Sequence, residues 1–175
     1  GHNLGKIIQD DATDDMYAMV DGKRNKKQLC FSSDDLYKAV RSYIIDQYGY
    51  GTDEYSERIS IMPMDNKMAC TCAKCRAKGN TDTNATPAVS DFVSRLANEF
   101  PKHNFYTSAY HTTKAVPAKP LPQNVGVFIS SVSMQMRIDF SNAKGYTEFV
   151  SMVKEWKKKC DRILVWDYER NFDDY

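Results

Sequence analysis

Three thiols fall within six positions, in the run Cys70-Thr71-Cys72-Ala73-Lys74-Cys75. Short Cys-x2-Cys loops are a common way to turn thiolates onto one metal ion, because a few residues suffice to bring the sulfurs to a shared point. A tetrahedral site needs a fourth ligand, and Cys30 and His111 are the candidates, both distant in sequence. The same spacing also admits a disulfide, either within the triplet or to Cys30. No His or carboxylate cluster adjoins the triplet. The expected role is therefore a structural staple on a long loop, a zinc ion or a disulfide, with no metal or other cofactor required for catalysis. Cys160 closes an amphipathic stretch and reads as packing. With Cys160 the count is odd, which does not suit a fully paired disulfide framework.

A second set of candidates follows the apolar runs. Asp65 and Asn66 come after residues 58–63, and Tyr110 and His111 after 104–109. Ser131, Ser133 and Gln135 come after 125–130, and Asp167, Tyr168 and Glu169 after 162–166, a run that ends in Trp166. If the runs are parallel strands, all these residues land at one edge of the sheet, the edge where α/β folds bind their ligands. Acids, an imidazole, phenols and amides gathered there can hydrogen-bond a polyol and polarise a glycosidic bond. On that reading Asp65 and Asp167 are the catalytic acids, while Asn66, Tyr110, His111, Trp166 and Tyr168 contact substrate. Singly, each also has a plainer role, as a loop cap, a lysine partner or a satisfied loop residue. The case rests on their shared edge.

The elements that must position these residues can be read from periodicity. Residues 1–30 are rich in Asp, Lys and Asn and read as an irregular lead-in, with a short strand at 28–31. Ser32-Ser33-Asp34-Asp35 offers cap hydroxyls and first-turn acids. Leu36, Ala39, Val40, Tyr43 and Ile44 then keep helical spacing until Gly49 and Gly51. Thr86-Pro87 starts the clearest helix, with Val89, Phe92, Val93, Leu96, Ala97 and Phe100 on one stripe and Pro101 at its end. A third helix carries Phe149, Val150, Val153 and Trp156. The strands are expected at 59–62, 105–109, 125–129 and 163–166, the third an apolar run of the kind parallel sheets bury on both faces. The expected class is α/β, a mainly parallel sheet of βα units over residues 31–175. One connection, 110–125, holds several prolines and no helical pattern, yet is long enough to cross between parallel neighbours.

Composition removes several alternatives. The 175 residues carry 24 basic and 23 acidic side chains, a net charge of +1, so no single-sign field favours nucleic acid. Lys157-Lys158-Lys159 sits at a helix end, where cations suit the dipole. No apolar stretch reaches the ~20 residues needed to span a bilayer. A glycine-rich phosphate loop, a Gly-x-Ser-x-Gly elbow and a His-Glu-x-x-His motif are all missing, which argues against nucleotide, serine-hydrolase and zinc-protease chemistry.

Several stretches in order carry a resemblance. They are Asp21-Gly22-Lys23-Arg24, Gln28-Leu29-Cys30-Phe31-Ser32, Ile59-Ser60-Ile61 with Asp65-Asn66, and the cysteine loop through Arg76. Ala109-Tyr110, Pro122-Gln123-Asn124-Val125, and Val165-Trp166-Asp167-Tyr168 with Asn171-Phe172 complete them. Together they resemble an uncharacterised bacterial domain family of carbohydrate-active proteins, related to glycoside hydrolase barrels such as the α-glucuronidases and hexosaminidases. The resemblance implies a (β/α)-barrel of the glycosidase type, a glycan partner and an exported protein. A full barrel takes ~250 residues, so four strands point to a partial TIM-barrel, a piece of a larger one. The open edges of such a piece invite self-association into a homo-oligomer. A non-catalytic carbohydrate-binding or scaffold module, and a small metal- or thiol-binding α/β domain, are the competing functions.

Overall fold

The computed structural model describes residues 4–8, 12–132 and 145–167. Ser133, Gln135, Tyr168 and Glu169 lie outside the described residues. After a short helix α1 (Leu4–Ile7), an antiparallel hairpin of β1 (Tyr17–Val20) and β2 (Lys23–Leu29) turns at Asp21-Gly22, both with positive φ. The lead-in is thus more ordered than its polar composition suggests. Only part of it faces the core, where Ala18 and Leu29 are buried, and the remaining order comes from backbone pairing, which leaves no apolar period to read.

Four more strands and their helices follow. Helix α2 (Asp34–Tyr48) is capped by Ser33, whose side chain accepts the Leu36 N–H at 3.1 Å, and it buries Leu36, Val40 and Ile44. Strand β3 (Arg58–Ser60) leads through Pro63 into the cysteine loop, which holds a short helix α3 (Ala73–Lys78). Helix α4 (Thr86–Glu99) buries the expected stripe. Phe92 lies edge-on to both Phe31 (5.3 Å) and Tyr37 (5.6 Å), and its truncation to Ala costs about 3–5 kcal/mol by the usual cavity penalty. The cap of α4 is Ala85 and not Thr86, because the Thr86 hydroxyl donates to the Ala115 carbonyl at 2.9 Å. Strands β4 (Asn104–Ala109) and β5 (Val125–Ser130), helix α5 (Tyr146–Lys157) and strand β6 (Arg162–Trp166) complete the order.

The four later strands form one sheet, ordered β3-β4-β5-β6 and parallel throughout. The helix-poor connection between β4 and β5 is fixed from both sides: Trp156 Nε1 donates to Lys114 O at 3.0 Å, and Leu121 N to Lys159 O at 2.8 Å. Phe105, Val125, Val127, Ile129 and Ala109 share the face packed by α4 and α5. Alternation sends Tyr106, Phe128 and Trp166 to the opposite face, where their rings form a row with centroids 5.6 and 6.3 Å apart. Gly126 makes this row possible, since a Cβ there would lie 2.6 Å from the Tyr106 ring. Helices on one face and an aromatic row on the other, with no closure of the sheet among the described residues, match a partial barrel.

Candidate metal centre and strand-end rim

The hairpin and the loop after β3 converge on the thiols. Cys30 sits just past the end of β2, with its N–H donated to Met16 O at 2.8 Å. Cys72 caps α3 and Cys75 lies in its first turn. The helix then stops at Gly79 (φ 106), which lets Asn80 N return to Cys75 O at 3.0 Å. Asn80 is almost fully buried and links the site to the core, donating to Cys70 O at 3.0 Å and accepting from Ala88 N at 3.0 Å. The Cys-x-Cys-x-x-Cys spacing therefore works as expected, through a cap position followed by one helical turn.

Cys30 Sγ lies 3.6 Å from Cys72 Sγ and 3.8 Å from Cys75 Sγ, and all four sulfurs fall within 4.8 Å of one another. Four thiolates about 2.3 Å from one zinc ion would stand about 3.8 Å apart, so the cluster has the dimensions of a tetrahedral site. All the cysteines are free thiols. Of the two candidates for the fourth position, the fold selects Cys30. His111 belongs to a different group.

The thiols perturb one another strongly. Hydrogen bonds from Cys30 and Cys75 pull the Cys70 thiol down to about 2, and Met19 N–H adds a donor at 3.2 Å. Its partners move the other way. Cys30 is pushed up to about 12, chiefly by the charge-sharing bond to Cys70, and Cys75 is raised by its bonds to Cys30 and Cys70. Closely packed thiols shift one another in opposite directions, and metal binding requires them as thiolates. Arg24 stands beside the cluster. Burial opposes its cation, but its bond to Cys30 and the fields of Cys30, Asp15 and Cys70 outweigh that cost. The guanidinium is held in place by Tyr17 O at 2.7 Å and Asp15 Oδ1 at 3.0 Å.

A family profile for a domain of unknown function, DUF4838, matches residues 8–175. The chain belongs to this family. Neither curated proteins nor solved structures gave a match. In this DUF4838 chain the match takes in the hairpin, the thiol cluster and the whole parallel sheet.

At the carboxyl ends of the strands, the structure brings some of the expected residues together. His111 adopts φ 48, its ring lies on Tyr110 with centroids 3.7 Å apart, and its Nε2 stands 3.5 Å from Asp65 Oδ1. Asn66 lies in the same group, lining a small recess with Pro63, Met64, Ser108, Tyr110 and His111. Across the sheet, Asp167 Oδ1 accepts from Ser131 Oγ at 3.1 Å, and Trp166 belongs to the aromatic row. Cys160 is core packing, its thiol directed at Val125 O at 3.3 Å.

Gln28 is the residue of this region that sequence reasoning passes over. It is buried, its Nε2 donates to Met64 O (3.2 Å) and Asn66 Oδ1 (3.1 Å), and its Oε1 accepts from Met64 N (3.1 Å). A carboxamide satisfying both backbone groups of one residue replaces a strand–strand bridge at this point. Its position at a strand end, two residues before Cys30, is the signal that could have marked it.

Proposed function

We propose that the four cysteines hold a structural zinc ion, and that this zinc braces a strand-end rim acting on glycans. The metal reading is carried by one observation: four sulfurs from two separate segments lie within 4.8 Å of one another. Thiolate-only donor sets suit zinc, and a site with four protein ligands has no open position for catalysis. Protein prepared under reducing conditions should contain one zinc per chain by elemental analysis. Cobalt substitution should give the strong thiolate charge-transfer and tetrahedral ligand-field bands. Reduced protein that takes up neither metal overturns this reading.

The glycan reading is supported by the Asp65–His111–Tyr110 group, which gathers a carboxylate, an imidazole and a phenol at the edge where parallel strands bind ligands. The resemblance noted in the sequence supplies the substrate class, glycosidase-type chemistry and an exported setting. Asp65 acts in proton transfer, Asp167 is the second acid, and Tyr110, Asn66 and Trp166 contact the sugar. Screening the full-length protein against complex glycans should reveal turnover that Asp65→Asn lowers by orders of magnitude with the fold intact. Binding without turnover, insensitive to Asp65→Asn but lost in Tyr110→Ala, supports a carbohydrate-binding module instead. The edges β3 and β6 are the places for self-association, which light scattering would detect as a dimer or larger species.

A further inference from the structure

We propose that the thiol centre is the device that holds Asp65 in reach of His111, so that the rim depends on a metal its ligand never touches. This rests on the metal reading above. Asp65 lies in the loop between Pro63 and Cys70, and that loop is hung from two points. At one end Gln28 grips Met64 by both backbone groups and Asn66 by its side chain. Asn66 completes the grip, since its Nδ2 donates to Lys27 O at 2.8 Å and its Oδ1 accepts from Met68 N at 3.0 Å. Both sequence neighbours of Asp65 are therefore fixed to the end of β2. At the other end Cys70 is tied by its carbonyl to Asn80 and by its sulfur to Met19 N–H, and Thr71 N donates to Met19 O at 2.8 Å.

Cys30 is the third link, two residues beyond Gln28. A metal bound by Cys30, Cys70, Cys72 and Cys75 locks the end of β2 to the far end of the loop. The anchor of Asp65 and the loop that carries it then become one rigid unit. Without an ion only thiol-to-thiol contacts would join the two segments, and sulfur-to-sulfur hydrogen bonds are poor constraints. The physical path runs from metal to Cys30, to Gln28, to Met64 and Asn66, and so to Asp65 beside His111. Linkage makes the effect reciprocal: a ligand bound at the rim raises metal affinity by the factor by which metal raises ligand affinity.

The His111 imidazole reports this directly. A nearby carboxylate favours the imidazolium, so Asp65→Asn should lower the apparent pKa of His111, followed by NMR and assigned with His111→Gln. In zinc-loaded protein the drop should be present, and after removal of zinc by chelation it should vanish. Gln28→Leu offers a second route that keeps the ion: zinc content should stay at one per chain while the Asp65→Asn effect on His111 disappears. An equal Asp65→Asn effect with and without zinc, or its survival in zinc-loaded Gln28→Leu, overturns the coupling and leaves the metal reading standing. A protein that binds no zinc at all overturns both.

Discussion

Removing the metal should destabilise the whole domain, and the size of the effect follows from the loop it closes. Cys30 and Cys75 are 45 positions apart in sequence. Joining two points of an unfolded chain at that separation removes roughly 4 kcal/mol of conformational entropy at 25 °C in the chain-entropy treatment. The two further ligands, Cys70 and Cys72, close smaller rings inside the first and add less. For a domain of this size, 1 kcal/mol shifts the melting temperature by about 2–4 °C, so chelation should lower Tm by roughly 8–16 °C. The assay is calorimetric melting of zinc-loaded and chelator-treated protein, both fully reduced. Cys30→Ala should reproduce the loss and become insensitive to chelator. Cys160→Ala is the control, because that buried thiol lies outside the cluster and is directed at the carbonyls of Val125 and Arg162. It should cost about the same with and without zinc. A Tm that moves by less than about 2 °C on chelation, or a Cys30→Ala variant as sensitive to zinc removal as the parent, would refute the reasoning.

Three further effects can be measured by denaturation. Thr107 Oγ1 is buried with no partner, so Thr107→Val should be neutral or stabilising, by about 1 kcal/mol. Asn124 Nδ2 serves three carbonyls, Ala97, Phe100 and His103, where α4 ends and β4 begins. Asn124→Ala should cost about 1–3 kcal/mol, and a loss below about 0.5 kcal/mol in a urea titration would count against that cap. Tyr37 is pushed up to about 12 by burial and by donating to Glu99 at 2.8 Å. Its contribution is complete below pH ~10, where the unfolded phenol ionises, and is lost as pH rises through the folded value. The alkaline decline in stability should be shallower in Tyr37→Phe.

The helices and parallel strands were legible because each buries one regular face. The stripe from Val89 to Phe100 and the apolar run from Val125 to Ile129 leave little freedom of assignment. The hairpin was not, because KRNKKQL places charge after charge on a strand whose order comes from backbone pairing to β1. The thiol cluster was half legible. Cys70, Cys72 and Cys75 announce themselves by spacing, but the choice between Cys30 and His111 depended on which strand end faces the loop, a tertiary fact. Gln28 was hidden for a related reason: one amide in a polar run carries no local signal, and only the Met64 backbone reveals its role.

The width of the rim ranks its two acids. Asp65 follows β3 and Asp167 follows β6, the opposite edges of the four-stranded sheet. Three strand spacings amount to about 14 Å, whereas a carboxylate pair in glycoside hydrolysis works at no more than about 9.5 Å. Only a sheet curled toward its aromatic face brings residues at the two edges together, as happens in a closed barrel. Strand alternation places Asp167 on the side of Ile163, which packs with α5, and its carboxylate is engaged by Ser131. Asp65 instead stands beside His111 and Tyr110, with a proton-transfer partner already at 3.5 Å. Asp65→Asn should therefore reduce glycan turnover far more than Asp167→Asn, and His111→Gln should resemble the former. Equal loss from the two amide variants would mean that the sheet curls enough to pair them, with Asp167 an equal partner in the chemical step.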